Sequence, residues 1–231
     1  MEPATLVVIG IVVMSITTHE VAHAWAAYRL GDDTAQRMGR LTLNPLVHID
    51  PFMTVILPGL LLLSGSPVVF GGAKPVPFNP FMLKKVKRDV ALVAAAGPLS
   101  NILIGFALLG ILAGFLHFGI WTSSSSGCKI LWGGAVINLF LAVFNLLPIP
   151  PLDGSKVLQY FLRGDIRTKY LRLESMGFFL ILGLLILDRS ILHTGMFSKL
   201  INMTVIPMVE GFVEILGLSS YYTHEWWDVI S

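Results

Sequence analysis

The stretch ATLVVIGIVVMSITTHEVAHAWAAY, residues 4–28, is longer than the roughly 20 apolar residues that cross a hydrocarbon core of about 30 Å. Besides Tyr28, its only ionisable side chains are His19, Glu20 and His23. The run reads as a membrane-spanning helix, and those three groups are out of place in lipid. It follows Glu2 with no cationic flank and exceeds the about 7–15 residues of a signal-peptide core, so it is expected to belong to the mature protein. The helix is expected to end near Arg29, where Leu30-Gly31-Asp32-Asp33 supplies a stop and a turn.

The rest of the chain is of the same kind. Of 231 residues, 55% are hydrophobic and 13% charged, and the mean hydropathy is +0.76. One soluble core of this size cannot hide that much apolar surface, which excludes an ordinary water-soluble domain. The formal charge is only +2, and the 16 Lys and Arg fall in short clusters between apolar runs. That is a pattern of topology signals, and it excludes nucleic acid as a partner. A single cysteine, Cys128, rules out an intrachain disulfide framework and a thiolate metal cage. Cys128 itself is expected to be an inert loop thiol.

Outward from the first helix, residues 38–79 read as a small irregular β insert. Arg40-Leu41-Thr42-Leu43 alternates polar with apolar, and Pro67-Val68-Val69-Phe70 and Lys74-Pro75-Val76-Pro77-Phe78 are β-like, with prolines that suit edge strands. Residues 52–63 between them are apolar but short and broken by Pro58-Gly59, so a re-entrant or interfacial segment is expected. Asn79-Pro80 is read as opening a helix that becomes a second span over residues 89–118. Gly97-Pro98 is expected to kink that span, and Gly105, Gly110 and Gly114 to give it small-residue packing surfaces. Residues 123–127 read as a flexible loop, and residues 130–148 as a third span that ends in a proline-rich loop reaching Gly154. A fourth span is expected at 173–189, and the tail 190–231 as interfacial or spanning, with Tyr221, Tyr222, Trp226 and Trp227 as an aromatic belt. The fold class is thus an all-α polytopic membrane protein, one domain over 1–231, with about four to six transmembrane helices and a β insert after the first.

His19-Glu20-Val21-Ala22-His23 sets two imidazoles one helical turn apart, so both can reach one ion from one face. His19 lies 15 residues beyond Ala4, about 22 Å along the helix axis and so inside the bilayer. An acidic residue at a helix centre costs roughly 2.5–3.5 kcal/mol on insertion scales, so the group is expected to persist because a divalent cation binds it. Catalytic zinc takes three protein ligands and leaves a fourth position to water. The third donor is sought among His48, Asp50, Asp153 and Asp165. Asp153 is favoured because it directly follows an apolar segment, on a loop stiffened by Pro148, Pro150 and Pro151; His48 reads better as a polar loop contact. His117 and His193 read as interfacial, as does His224 near the aromatic belt.

Asp153 can meet the histidines only if both lie toward the same membrane face. That requires residues 52–63 not to cross, so that the second and third spans form a hairpin. With that topology 13 of the 16 basic residues share the Arg29 side, leaving Lys129, Arg189 and Lys199 elsewhere. The bias marks that side as cytoplasmic. Chemically, the ion would polarise a water and a scissile carbonyl while Glu20 moves the proton, which is peptide hydrolysis. Asn145, eight residues before Asp153, is the best-placed neutral amide to hold a substrate, with an interhelical hydrogen bond an equal reading from spacing.

HEVAH in the first long helix, together with NLLPIPPLDG over residues 145–154, resembles the site-2 protease family of intramembrane metalloproteases. The likeness covers roughly residues 5–160 and extends to GRLTLNP (39–45), HIDP (48–51), GAKPVP (72–77) and AGP (96–98) with Asn101, as in the compact prokaryotic subgroup. Gly72 stands where the family more often has Trp. The resemblance implies one Zn2+ bound by His19, His23 and Asp153, Glu20 as catalytic base, and Asn145 contacting substrate. It further implies cleavage of transmembrane protein or peptide substrates within the bilayer of a prokaryotic plasma membrane, with the active site nearer the cytoplasmic face. The competing classes are a divalent-metal transporter and a catalytically silent membrane scaffold. A transporter would need a second intramembrane His or Asp cluster, which the sequence does not show, and the intact Glu20 argues against a silent scaffold.

Overall fold

Residues 4–28 form one helix, α1 (Pro3–Leu30), in the computed structural model, which describes residues 3–56, 59, 72–174, 176, 177, 179, 180, 183, 195 and 199–218. The expected stop is where the sequence puts it. Gly31 takes φ +111°, a region that L side chains rarely adopt, and the Asp32 N–H turns back to the Ala27 carbonyl at 2.9 Å. The Asp32 carboxylate is buried and accepts the N–H groups of Thr34 and Asn79. It therefore ties the exit of α1 to a segment far along the chain. A one-turn helix follows, α2 (Thr34–Arg37).

The two long apolar runs after the insert become α3 (Val86–His117) and α4 (Ser126–Asn145). Both are long and apolar enough to cross a membrane, about 48 and 30 Å at the helical rise. Leu99, Leu103 and Ile111 on α3 point outward and are exposed, which suits a helix whose solvent is apolar. Beyond them lie α5 (Asp153–Phe161), α6 (Gly164–Glu174) and α7 (Ile206–Ile215), the last continuing a wide turn at Ile201–Val205. The expected fourth span and the aromatic belt fall largely or wholly outside the described residues, as do His193 and His224.

The chain divides into two compact units. The first comprises Met1–Ser15, Leu99–Phe144 and Gly195–Ser231. Its core is Leu109, Leu112 and Leu116 of α3, Trp132, Val136 and Leu139 of α4, and Val205, Val209 and Val213 around α7. Gly105 lets α3 close on α4, since a Cβ there would come within 2.8 Å of Leu139. Gly110 and Gly114, expected to pack helices, have nothing among the described residues within 4 Å of an added Cβ. Cys128 is not in a loop: it lies in the first turn of α4, fully buried, with Sγ 3.2 Å from the Thr122 carbonyl.

A buried polar network threads this unit. Asn101 donates to Asn138 Oδ1 at 2.9 Å, Asn138 donates to Ser15 Oγ at 2.9 Å and to the Gly134 carbonyl at 2.8 Å, and Ser15 donates to the Ile11 carbonyl at 2.7 Å. Asn138 is the centre of this network, bonded to Asn101, Ser15 and the Gly134 carbonyl. Asn138→Leu is expected to lower stability by about 1–3 kcal/mol, read as a fall in Tm of the purified protein in detergent, with Asn138→Gln recovering part of it.

The second unit comprises Ile16–Pro98 and Asn145–Thr194. The expected β insert requires correction: among the described residues of 38–79 there is no strand. The segment is instead a tight turn at Pro45–His48, a wide turn at Pro51–Ile56 and an extended stretch over 72–79. Pro75 and Pro77 have no N–H for a ladder, and the remaining main-chain groups are taken from elsewhere. Thr54 Oγ1 donates to the Gly72 carbonyl at 2.6 Å, the Lys74 N–H goes to the His48 carbonyl at 2.8 Å, and Arg40 Nη2 reaches the carbonyls of Lys74 and Pro75 at 3.2 and 3.3 Å. Most of 57–71, including Pro67-Val68-Val69-Phe70, lies outside the described residues. Asn79-Pro80 caps only the short turn Pro80–Met82, through Phe81 N–H to Asn79 Oδ1 at 3.0 Å. Helix α3 starts six residues later, where Asp89 folds back to accept the Lys85 N–H at 2.8 Å.

Candidate metal centre

His19 and His23 stand one turn apart on α1, their rings edge to face at 4.6 Å between centroids. Their Nε2 atoms are 3.0 Å apart, and each lies 3.1 Å from Asp153 Oδ2. Among the described residues these three are the one set of His, Cys, Asp or Glu that could hold a metal. All lie in the second unit, and His19 is only 7% exposed.

His23 Nδ1 donates to the Val93 carbonyl of α3 at 2.7 Å. That bond assigns the proton to Nδ1 and turns the Nε2 lone pair inward, the outer-sphere arrangement found behind metal-binding histidines. A lone pair and a carboxylate oxygen therefore converge with a second imidazole within 3.1 Å. A metal cation among its members, like a proton on an imidazole, relieves the repulsion within such a donor set. A tetrahedral ion with zinc-like bonds of about 2.0–2.1 Å has ligand atoms about 3.3 Å apart, close to the triangle observed, so the residues fit the ion.

Gly97 makes room for this on α3. A Cβ built there would overlap the His23 ring and come within 2.6 Å of His19 Nε2. The sequence reading gave Gly97-Pro98 only a kink; the local dipeptide does not reveal which side chains cross its face. Gly97→Ala favours the helix by propensity, yet it is expected to weaken metal affinity about 10–100-fold, the loss usual when ligand support is disturbed. Bound metal per chain after dialysis against graded chelator would show this, with the far-ultraviolet spectrum unchanged.

Asp153 is the first residue of α5, where the helix N-terminus favours its negative charge. The loop before it is held from several sides. The Leu152 N–H goes to the Ile149 carbonyl at 2.9 Å, and Gly177 packs against Pro150 and Pro151 with no space for a Cβ. Tyr170 of α6 donates to the Pro148 carbonyl at 2.7 Å. Burial, reinforced by the Glu174 carboxylate, pushes the Tyr170 phenol above its ordinary value, so it remains a donor. Gly154 lies against the Leu146 carbonyl where any Cβ would collide. The other oxygen of Asp153, Oδ1, is 3.9 Å from Lys156 Nζ, which sits 6.0 Å above the Phe78 ring.

Glu20 is half-buried beside the histidines and accepts the Val76 N–H on Oε2 at 3.1 Å. The alternative third ligands are elsewhere. His48 is buried with Nε2 on the Thr42 carbonyl at 2.9 Å, Asp50 accepts the Phe52 N–H, and Asp165 opens α6 at an exposed position. Asn145 ends α4, half-buried. Spacing alone does not single out Gly97, the Val93 carbonyl or the Val76 N–H, because each reaches His19, His23 or Glu20 across the fold.

The model of peptidase family M50 matches residues 118–187. The chain is 40% identical over 178 residues, 75% of this chain and 77% of the relative, to "Putative zinc metalloprotease YwhC" of Bacillus subtilis. It is 30% identical over 212 residues, 90% of this chain and 73% of the relative, to "Putative zinc metalloprotease Rip2" of Mycolicibacterium smegmatis. To "Zinc metalloprotease MJ0392" of Methanocaldococcus jannaschii it is 34% identical over 95 residues, 41% of this chain and 25% of that protein. No solved structure matches. With two relatives matched over most of their length and residues 118–187 under the family model, the protein belongs to peptidase family M50, the site-2 protease family.

Proposed function

We propose that this protein is an intramembrane zinc metalloendopeptidase that cuts peptide bonds within or near transmembrane helices of other membrane proteins, as in regulated intramembrane proteolysis. The convergence of His19, His23 and Asp153, with Glu20 alongside, carries the reading. Family membership and the zinc metalloprotease names of the relatives support it.

His19, His23 and Asp153 would hold the zinc ion, which when bound would supply Lewis acidity toward a water and the scissile carbonyl. Glu20 accepts the proton released as the water attacks and delivers it to the leaving amine. Asn145 holds the substrate backbone through its amide. Gly97 and the Val93 carbonyl keep the imidazoles in one orientation, and the Asp153 loop keeps the third donor in reach.

In this reading α1, α3, α4 and residues 173–189 span the bilayer, within a bundle of four to six helices. The outward-facing apolar side chains of α1 and α3 support it. The basic residues clustered on the Arg29 side support a site nearer the cytoplasmic face of a prokaryotic plasma membrane.

The test is cleavage of a fluorescently labelled single-span peptide by the protein reconstituted in liposomes. A chelator is expected to stop cleavage and added zinc to restore it. Product formation indifferent to prolonged chelation, at rates equal to the untreated protein, would remove the metal from the reaction.

A further inference from the structure

One amide in the 72–79 segment is gripped at both ends by opposite charges. The carbonyl of Pro75 and the N–H of Val76 belong to the same planar peptide unit. Arg40 Nη2 lies 3.3 Å from that carbonyl and Glu20 Oε2 lies 3.1 Å from that N–H. Arg40 is 6% exposed, an expensive place for a guanidinium unless it is hydrogen-bonded, and here its Nη2 is shared between the carbonyls of Lys74 and Pro75. A cation at the oxygen and an anion at the hydrogen both align with the amide dipole and strengthen each other's bond.

The flanking prolines make the arrangement selective. Pro75 and Pro77 have no N–H, so Val76 offers the one main-chain donor between Lys74 and Phe78, and the Lys74 N–H is already on the His48 carbonyl at 2.8 Å. The segment is also anchored at its ends, by Thr54 on the Gly72 carbonyl and by the Asn79 N–H on Asp32. Such a segment has little freedom to turn its amide away.

We propose that Arg40 and the Val76 N–H are positioning residues for the general base: the amide they share fixes Oε2 of Glu20, so that the proton traffic of hydrolysis runs through the other oxygen, Oε1. This rests on the reading of Glu20 as base. The device holds one rotamer of a carboxylate whose neighbours on α1 are the metal-binding histidines, and it does so without touching those histidines.

The experiment uses the full chain in liposomes with the labelled single-span peptide. Val76→Pro deletes the N–H and keeps an extended backbone, whereas Val76→Ala keeps the N–H and trims the side chain. Val76→Pro is expected to lower kcat at least 10-fold with KM within about 2-fold and one zinc per chain retained, while Val76→Ala stays within about 2-fold of the parent. In a Glu20→Gln background Val76→Pro should cost nothing further, because it acts through Glu20. Should Val76→Pro fail to fold or hold zinc, Arg40 decides: Arg40→Met is expected to lower kcat at least 10-fold and Arg40→Lys to recover most of it.

If Val76→Pro folds, holds zinc and cleaves at the parental rate, or cleaves faster as it would if the segment were a plug, the proposal is overturned. An Arg40→Met protein with parental kcat overturns it equally. An active Glu20→Gln protein would instead refute the base itself, so the two failures are distinguishable.

Discussion

Glu20→Gln is expected to lower kcat for peptide cleavage by on the order of 10²–10⁴-fold, the usual weight of a general acid–base group, while bound zinc stays at its parental level. Glutamine keeps the size and the hydrogen-bonding oxygen that the Val76 N–H contacts, but it cannot accept the proton that the attacking water gives up. Glu20 is not one of the three converging donors, so the ion should remain. KM should change little, since no substrate contact is removed. Loss of cleavage together with loss of zinc would assign Glu20 to holding the site rather than to proton transfer.

Asp153→Ala is expected to be as severe by a different route. Asp153 Oδ2 is the vertex shared by both imidazoles, 3.1 Å from each, and without it two ligands face an ion that needs three. The drop in zinc affinity should exceed the about 10–100-fold that disturbance of an outer-sphere partner costs, and cleavage should fall below detection. Asp153→Asn should fall between parent and alanine variant, because the amide oxygen still reaches the ion without a charge. Zinc titration in competition with a chromophoric chelator separates the three proteins. Parental affinity in Asp153→Ala would return the search for a third donor to the rest of the chain.

Which features were legible in the sequence follows from how far their causes reach. The extent of α1, its stop at Gly31 and the pairing of His19 with His23 are written within single helical turns, and all three appear in the structure. Asp153 was legible at longer range because an apolar run ending in prolines leaves few places for a carboxylate, and the charge bias required it to return to the histidines' side. The 72–79 segment misled because alternation and proline content describe an extended backbone, not the partner of its hydrogen bonds. Those partners are Arg40, Glu20, Thr54 and the His48 carbonyl in place of a neighbouring strand. Gly97 was legible only in part: next to Pro98 it reads as a kink, while its packing against two imidazoles depends on α1. Gly110 and Gly114 carry a spacing that promises packing, and among the described residues nothing lies within 4 Å of their added Cβ positions; spacing on one helix does not name a partner.

Zinc K-edge X-ray absorption of the purified protein, with metal content measured on the same sample, bears most directly on the three-donor centre. One zinc per chain is expected, in a shell of nitrogen and oxygen with the outer scattering of two imidazoles and no sulfur, and that scattering should vanish in a His19→Ala/His23→Ala variant. A protein that holds zinc with the same imidazole signature after both histidines are replaced would contradict the site.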